Sequence, residues 1–323
     1  MRFSTSGTDS ENQNNRIMCL YTKYITNPKY LPNKKNNYKP PACKDRRLLY
    51  VPVKCGKCME CRKQNQSQWV VRLSEEIKKE PKALFVTLTF NEESYKKLAA
   101  ITKNENEMCR IALRRMLENY RVQNKRTIKH WVATELGDDG RIHMHGIFWT
   151  NKEVIEKYWK YGFIFIGTWV NEQTIFYITK YIMKVSTVDK NFTPKILCSK
   201  GIGSSYLKRD DVRNNRYKKN DTDESYRLRD GRKISLPDYY KRKIYTERER
   251  EKLWIEKQER GYRYIMGEKV DVDNEQEYFS LLNFYREKAK RILNERPQDW
   301  DKEKHKKQLK KLKEYRQRFK GGC

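Results

Sequence analysis

Apolar and polar positions alternate most clearly at Ala83–Phe90, where Leu84, Val86, Leu88 and Phe90 share one side of an extended chain and Phe85, Thr87 and Thr89 the other. That period of two predicts a half-buried strand. Lys129–Leu136 and Ile142–Trp149 are two further strand-like runs, and Gly137-Asp138-Asp139-Gly140 between them supplies the turn of an antiparallel hairpin. Tyr161–Val170 reads as another strand. Helical spacing governs Trp69, Leu73 and Ile77, with Val70 beside them, and this helix stops before Pro81. It returns at Ile111, Leu113, Met116 and Leu117. A last amphipathic helix opens at Asn171 as N-cap, with Glu172 near its positive end and Ile175, Ile178, Ile182 and Val185 as its apolar stripe. The fold class expected from these elements is α+β, a central antiparallel sheet with flanking helices.

Around this core the pattern changes. Residues 1–16 are polar with almost no apolar position and read as a flexible tail. Residues 17–80 hold a loop-rich cysteine module and the first helix, 81–205 the sheet-bearing core, 206–245 a basic linker or loops, and 246–323 a basic helical tail. Lys and Arg number 72 against 42 Asp and Glu, a net charge of +30 over 323 residues. A polyanion is the partner that this charge selects. No stretch approaches the ~18 consecutive apolar residues of a membrane span, and the polar opening lacks the apolar segment of a signal peptide. A soluble chain in a reducing compartment is expected.

Two clusters could carry chemistry. In a strand His143 and His145 share one face, and a hairpin turning about Asp139 sets Glu135 opposite His143 and the small Ala133 opposite His145. Two imidazoles and a carboxylate then suit a divalent cation with open positions. Either histidine alone would be an ordinary packed residue, but the chain has only 4 His, and two of them stand in phase with a glutamate. On the helix that follows, Tyr177, Tyr181 and Lys184 form a row beside the apolar stripe, with Lys180 adjacent. A phenol is unreactive while neutral, so a nearby ammonium and a metal-bound electrophile would both favour its attack. Without the histidines these tyrosines would simply pack with polar tips.

These motifs in this order, FVTLTF at Phe85–Phe90, RIHMHG at Arg141–Gly146 and YITKYIMK at Tyr177–Lys184, resemble those of His-hydrophobe-His replication initiators. More closely, the chain is similar to the initiators of small single-stranded DNA bacteriophages of the gokushovirus branch of the microviruses. The run CGKCMEC at Cys55–Cys61, the segment CSKGIGSSY at Cys198–Tyr206 and LPDYY at Leu236–Tyr240 extend the likeness over about residues 17–245. Lys200 before Gly201 departs from the proline frequent in that family. The resemblance implies a site-specific nickase that starts rolling-circle replication in the cytoplasm of a bacterial host. His143 and His145 would hold Mg²⁺ or Mn²⁺ with Glu135 as third ligand. Tyr177 and Tyr181 would be nucleophiles in successive cleavages, and Lys180 and Lys184 would neutralise phosphate charge. The implied partners are a single-stranded DNA origin and the host helicase and polymerase, with no membrane.

Cys55, Cys58 and Cys61 have the spacing of part of a tetrahedral zinc or iron–sulfur site. Structural zinc is the favoured reading, with a fourth thiolate from Cys19 or Cys43, Cys19 being preferred. Cys109, Cys198 and Cys323 follow no ligand pattern. Two rival functions share some of these features: a noncatalytic basic protein that binds single-stranded nucleic acid, and an iron-dependent oxygenase with a two-His, one-carboxylate triad. The charge and the Tyr-Lys helix speak against the small-molecule substrate of the second.

Overall fold

The computed structural model describes residues 19–167, 170–189, 191–293 and 300–320, with the side chains of 319 and 320 left out. The expected tail at 1–16 and Cys323 lie outside the described residues. The chain divides into two compact units, one of residues 1–55, 210–285 and 299–323 and the other of 56–209 and 286–298.

The first unit begins with β1 (Lys23–Thr26), three short 3-10 turns and β2 (Tyr50–Val53), which pairs antiparallel with β1. The second unit then runs α1 (Met59–Lys79), β3 (Leu84–Thr89), α2 (Glu92–Ala99), α3 (Glu105–Asn124), β4 (Lys129–Leu136), β5 (Ile142–Trp149), α4 (Lys152–Tyr158), β6 (Ile164–Gly167), α5 (Glu172–Thr179) and β7 (Ile196–Cys198). Its five strands form one antiparallel sheet in the order β6-β3-β5-β4-β7. The α+β class with a helix-flanked antiparallel sheet is therefore observed.

Strict alternation divides this sheet between two cores. Val86, Leu88, Val132, Met144 and Phe148 point to one face, where they pack with Met108, Ala112, Leu113 and Met116 of α3 and Ile155 of α4. Trp131, Ala133, Ile147 and Trp149 point to the other, against Trp69, Val70 and Leu73 of α1 and Ile175 and Ile178 of α5. His143, His145 and Glu135 share the parity of this second face. The two helices cover its Trp131-Ile147-Trp149 half, so the remaining half carries the polar cluster.

The Asn171 side chain caps α5 by accepting from the Thr174 amide, as its position suggested. The α-helix is shorter than the apolar stripe implied. It ends at Thr179 and passes into a 3-10 turn at Lys180–Ile182. Thr179 is the physical cause: its hydroxyl donates to the carbonyls of Ile175 at 2.8 Å and Phe176 at 3.2 Å, a back-bonding pattern that loosens a helix.

In the rest of the first unit, residues 206–245 contain 3-10 turns, the hairpin β8 (Ser225–Arg227) and β9 (Lys233–Ser235), and α6 (Asp238–Ile244). Then come α7 (Glu247–Glu259), opened by a capping box between Thr246 and Glu249, and the hairpin β10 (Tyr262–Ile265) and β11 (Glu268–Asp271). Its two-residue turn needs positive φ at Met266 and Gly267 (53° and 101°), the primed geometry that matches strand twist. The helices α8 (Glu275–Leu293) and α9 (Lys302–Lys320) follow. From α9, Gln308 accepts from the Tyr24 amide and donates to its carbonyl, taking the place of a strand partner along β1. No helix among the described residues is long and apolar enough to cross a membrane.

Gly146 tests the packing of the central strand. A Cβ there would lie 2.8 Å from Val132 Cγ2, 2.9 Å from Phe148 Cε2 and 2.9 Å from the Trp131 carbonyl. Gly146→Ala is expected to destabilise the protein by about 1–3 kcal/mol in urea unfolding. Wild-type stability in this variant would show that the β4–β5 pair is not closed as described.

Candidate functional site

The β4–β5 register sets Glu135 opposite His143 and Ala133 opposite His145, the phasing expected of the hairpin. Hydrogen bonding across it is diagonal instead. Nε2 of His145 lies 2.6 Å from Oε2 of Glu135, a reach that the small Ala133 leaves open. His143 is more exposed and turns toward the hairpin tip, with Nε2 3.9 Å from Oδ1 of Asp139, and the two imidazole centroids are 6.5 Å apart. The structure thus brings His145 and Glu135 into contact and leaves His143 beside them on the same face.

A third strand completes the setting of His145. Thr87 pairs with it across β3 and β5, and the Thr87 hydroxyl is 3.1 Å from Nδ1. An ionised Glu135 can only accept, so in the neutral ring the proton is on Nε2 and Nδ1 accepts from Thr87. Thr87 escaped notice as a site residue when the sequence was read for titratable groups. Its signal was present in FVTLTF, where Thr87 and Thr89 occupy the alternate face.

Lys184 supplies the other cation. Its Nζ lies 2.5 Å from Oε1 of Glu135, so this lysine meets the carboxylate rather than the phenols. Residues three apart eclipse in a 3-10 turn, and the turn after Thr179 therefore brings Lys184 beneath Tyr181. Burial alone would push the Glu135 carboxyl up, but hydrogen bonds from His145 and Lys184 outweigh it and hold the group below its ordinary value of 4.5. The same bond raises Lys184. Burial lowers His143 and outweighs the opposing pull of Asp139, which keeps that imidazole neutral. An ionised carboxylate with a neutral imidazole is the donor state that a divalent cation requires.

The tyrosines are unequal. Tyr181 is buried at 7% exposure and stacks on His145, with centroids 3.9 Å apart and planes 4° from parallel. Tyr177, one turn earlier, is 47% exposed. The Tyr181 hydroxyl donates to the Tyr177 oxygen at 3.0 Å. Burial, the bond to Tyr177 and the nearby Glu135 push the Tyr181 phenol strongly upward. Lys180 sits with Nζ 3.8 Å from the centre of the Tyr177 ring, and Phe85 meets that ring edge-on at 6.1 Å. A continuous chain of contacts therefore runs from Lys184 through Glu135, His145 and Tyr181 to the exposed oxygen of Tyr177.

The cysteines form a separate cluster. Ligand sulfurs of Cys19, Cys55, Cys58 and Cys61 all lie within 4.8 Å of one another, a group that could hold a metal ion. Cys58 is the N-cap of α1 and Cys61 lies in its first turn, while the Cys19 sulfur accepts from the Cys55 amide at 3.2 Å. Cys43 is not in the group; its thiol donates to the Asp45 carbonyl. Burial pushes the thiol of Cys109 far up, leaving it inert.

Residues 83–186 match the family model of the replication-associated protein ORF2. The chain is 30% identical over 186 residues to the Replication-associated protein ORF2 of Spiroplasma virus 4, a match covering 48% of this chain and 57% of that relative. No solved structure matches. The family match begins just before β3 and ends two residues after Lys184, so it contains every member of the Glu135-His145-Tyr177 network.

The Glu135 contacts make stability depend on acidity. A carboxyl held below its ordinary value stabilises the folded state above about pH 4.5, and this contribution is lost as pH falls through the lower folded value. Glu135→Gln is expected to flatten the acid limb of melting temperature against pH, measured with chelator present. Identical acid limbs would show that Glu135 does not hold His145 and Lys184 as described.

Proposed function

We propose that this protein initiates rolling-circle replication by nicking and rejoining single-stranded DNA at an origin, through a 5′-phosphotyrosine intermediate. The observation that carries the reading is the exposed Tyr177 oxygen, which receives a hydrogen bond from Tyr181 beside the Glu135-His145 pair. The likeness to replication-associated proteins over residues 83–186 supports the same process.

Tyr177 is the first nucleophile in this mechanism. Its oxygen attacks the scissile phosphorus, the P–O3′ bond breaks, and the 3′ oxygen leaves as a hydroxyl once protonated, ready for a polymerase. Tyr181 donates to the attacking oxygen and so favours the phenolate, and the Lys180 ammonium over the same ring adds to that effect. Lys184 holds Glu135 ionised, and Thr87 with Glu135 fixes the plane of His145. His143, His145 and Glu135 would hold Mg²⁺ or Mn²⁺, which when bound supplies charge neutralisation and orientation of the phosphate. Tyr181 becomes the second nucleophile after it leaves the His145 face, and the energy kept in the phosphotyrosine bond reseals the circle without a nucleotide. Host polymerase and helicase would take over the free 3′ end in the bacterial cytoplasm.

Covalent capture tests this order. With an origin oligonucleotide and Mn²⁺, the wild-type chain is expected to give an adduct that survives denaturation. Tyr177→Phe should reduce its rate at least about 100-fold, whereas Tyr181→Phe should keep first-round adduct formation and lose repeated release of circles. His145→Ala should abolish the adduct while DNA binding persists on the remaining positive charge. Equal adduct from the double tyrosine variant would place the nucleophile elsewhere and return the protein to noncatalytic binding.

For the cysteine group we propose structural zinc. Four thiolates complete a tetrahedral set, and zinc bound there would tie the entry of α1 to the segment at Cys19. Elemental analysis is expected to find about one zinc per chain, with removal by chelator lowering the melting temperature. Zinc-free protein of unchanged stability would exclude it.

A further inference from the structure

In the unit formed by residues 1–55, 210–285 and 299–323, a cleft of about 270 Å³ opens between α6, α7, the start of β10 and the end of β2. Its lining is electrically lopsided. Lys54, Lys241, Lys257, Arg260 and Arg263 border it, against only two carboxylates, Glu224 and Asp238. Both carboxylates are already engaged. Glu224 is buried at 3% exposure between Lys241, at 3.4 Å, and Lys257, and Asp238 takes Lys54 at 3.3 Å. Arg263 turns Nη1 to the carbonyls of Lys257 and Tyr262. The guanidinium of Arg260 is partly buried, and among the described residues it has no hydrogen-bonding or ionic partner.

The cations disturb one another. Burial and the neighbouring Lys241 push Lys257 down to about 8, Arg260 adding to the effect against the attraction of Glu224. Such a site gains from an added anion, because a charge inside the cleft relieves this repulsion and satisfies Arg260 at once. The walls narrow the choice of anion. Trp254 and Tyr262 border the same cleft with flat aromatic surface, and the buried indole N–H of Trp254 has no hydrogen-bond partner. Aromatic faces beside a phosphate-binding guanidinium are the surroundings of a stacked base.

We propose that this cleft binds a phosphorylated nucleotide unit. Arg260 donates to the phosphate oxygens, Lys241 and Lys257 balance their charge, and Trp254 and Tyr262 receive the base. The inference rests on no part of the nickase reading.

The test is calorimetric titration of the full chain, in chelator and at low salt, with thymidine 5′-monophosphate, thymidine, inorganic phosphate and a thymidine pentanucleotide. The monophosphate is expected to bind at least roughly tenfold more tightly than thymidine or phosphate alone. Arg260→Gln should weaken it roughly tenfold or more, the scale of a lost charge-assisted bond. The melting temperature should hold, since Arg260 has no partner to lose. Tighter binding of the pentanucleotide would make the ligand a DNA strand, and tighter binding of the monophosphate a free nucleotide. The same titration in His145→Ala is expected to be unchanged, so loss of the proposed catalytic centre and loss of this cleft are read separately. Equal affinity in wild type and Arg260→Gln, or equal affinity for phosphate and monophosphate, would overturn the proposal.

Discussion

The carboxylate of Glu135 is the group on which the proposed catalytic face depends. It is buried to 8% exposure, and a buried carboxylate is tolerable only when its lone pairs are filled by donors. One oxygen is taken by His145 from the adjacent strand and the other by Lys184 from beyond α5. A single ionised group therefore joins the sheet to the segment that carries the tyrosines. Moving either donor would strand the charge, which gives the arrangement its rigidity. Lys184 also stands where a bound cation would compete, so the ion pair keeps the carboxylate ionised and ordered before any metal arrives.

Much of this face could be read from the chain because strand periodicity is local. The expected spans 129–136 and 142–149 coincide with β4 and β5, and the Glu135–His143 register followed from the turn alone. The diagonal bond to His145 did not follow, because it depends on side-chain direction and on the room beside Ala133. Thr87 was equally hidden: it belongs to a strand more than fifty residues away in sequence, and nothing within FVTLTF says which strand lies next to it. The shortened α5 reflects a competition between helix pattern and a threonine hydroxyl, which apolar spacing does not register.

The first unit was harder to read for a different reason. Its elements are short, and its cohesion comes from contacts between distant parts of the chain, such as the pairing of Gln308 with Tyr24 and the bond from the Trp300 indole to the Thr22 carbonyl. Composition registers the excess of lysine and arginine but not where they converge. Glu224, buried among positive side chains, organises that convergence much as Glu135 organises the proposed catalytic face. The difference lies in the balance: Glu135 is matched to its donors, whereas the cleft around Glu224 keeps more cations than carboxylates.

The inequality of the two tyrosines has a consequence for order of use in the proposed mechanism. Stacking on His145 and burial hold Tyr181 neutral, and a neutral phenol is a donor rather than a nucleophile. By donating to Tyr177 it lowers the cost of a phenolate there while being unable to compete for the same phosphate. Once the Tyr177 oxygen is esterified it loses its negative charge and becomes a poorer acceptor, so the bond that orients Tyr181 weakens. The ring is then free to leave the imidazole, and its departure opens the His145 face to a second strand end. Two chemically identical side chains one helical turn apart thus acquire different roles, because only one of them packs on the histidine.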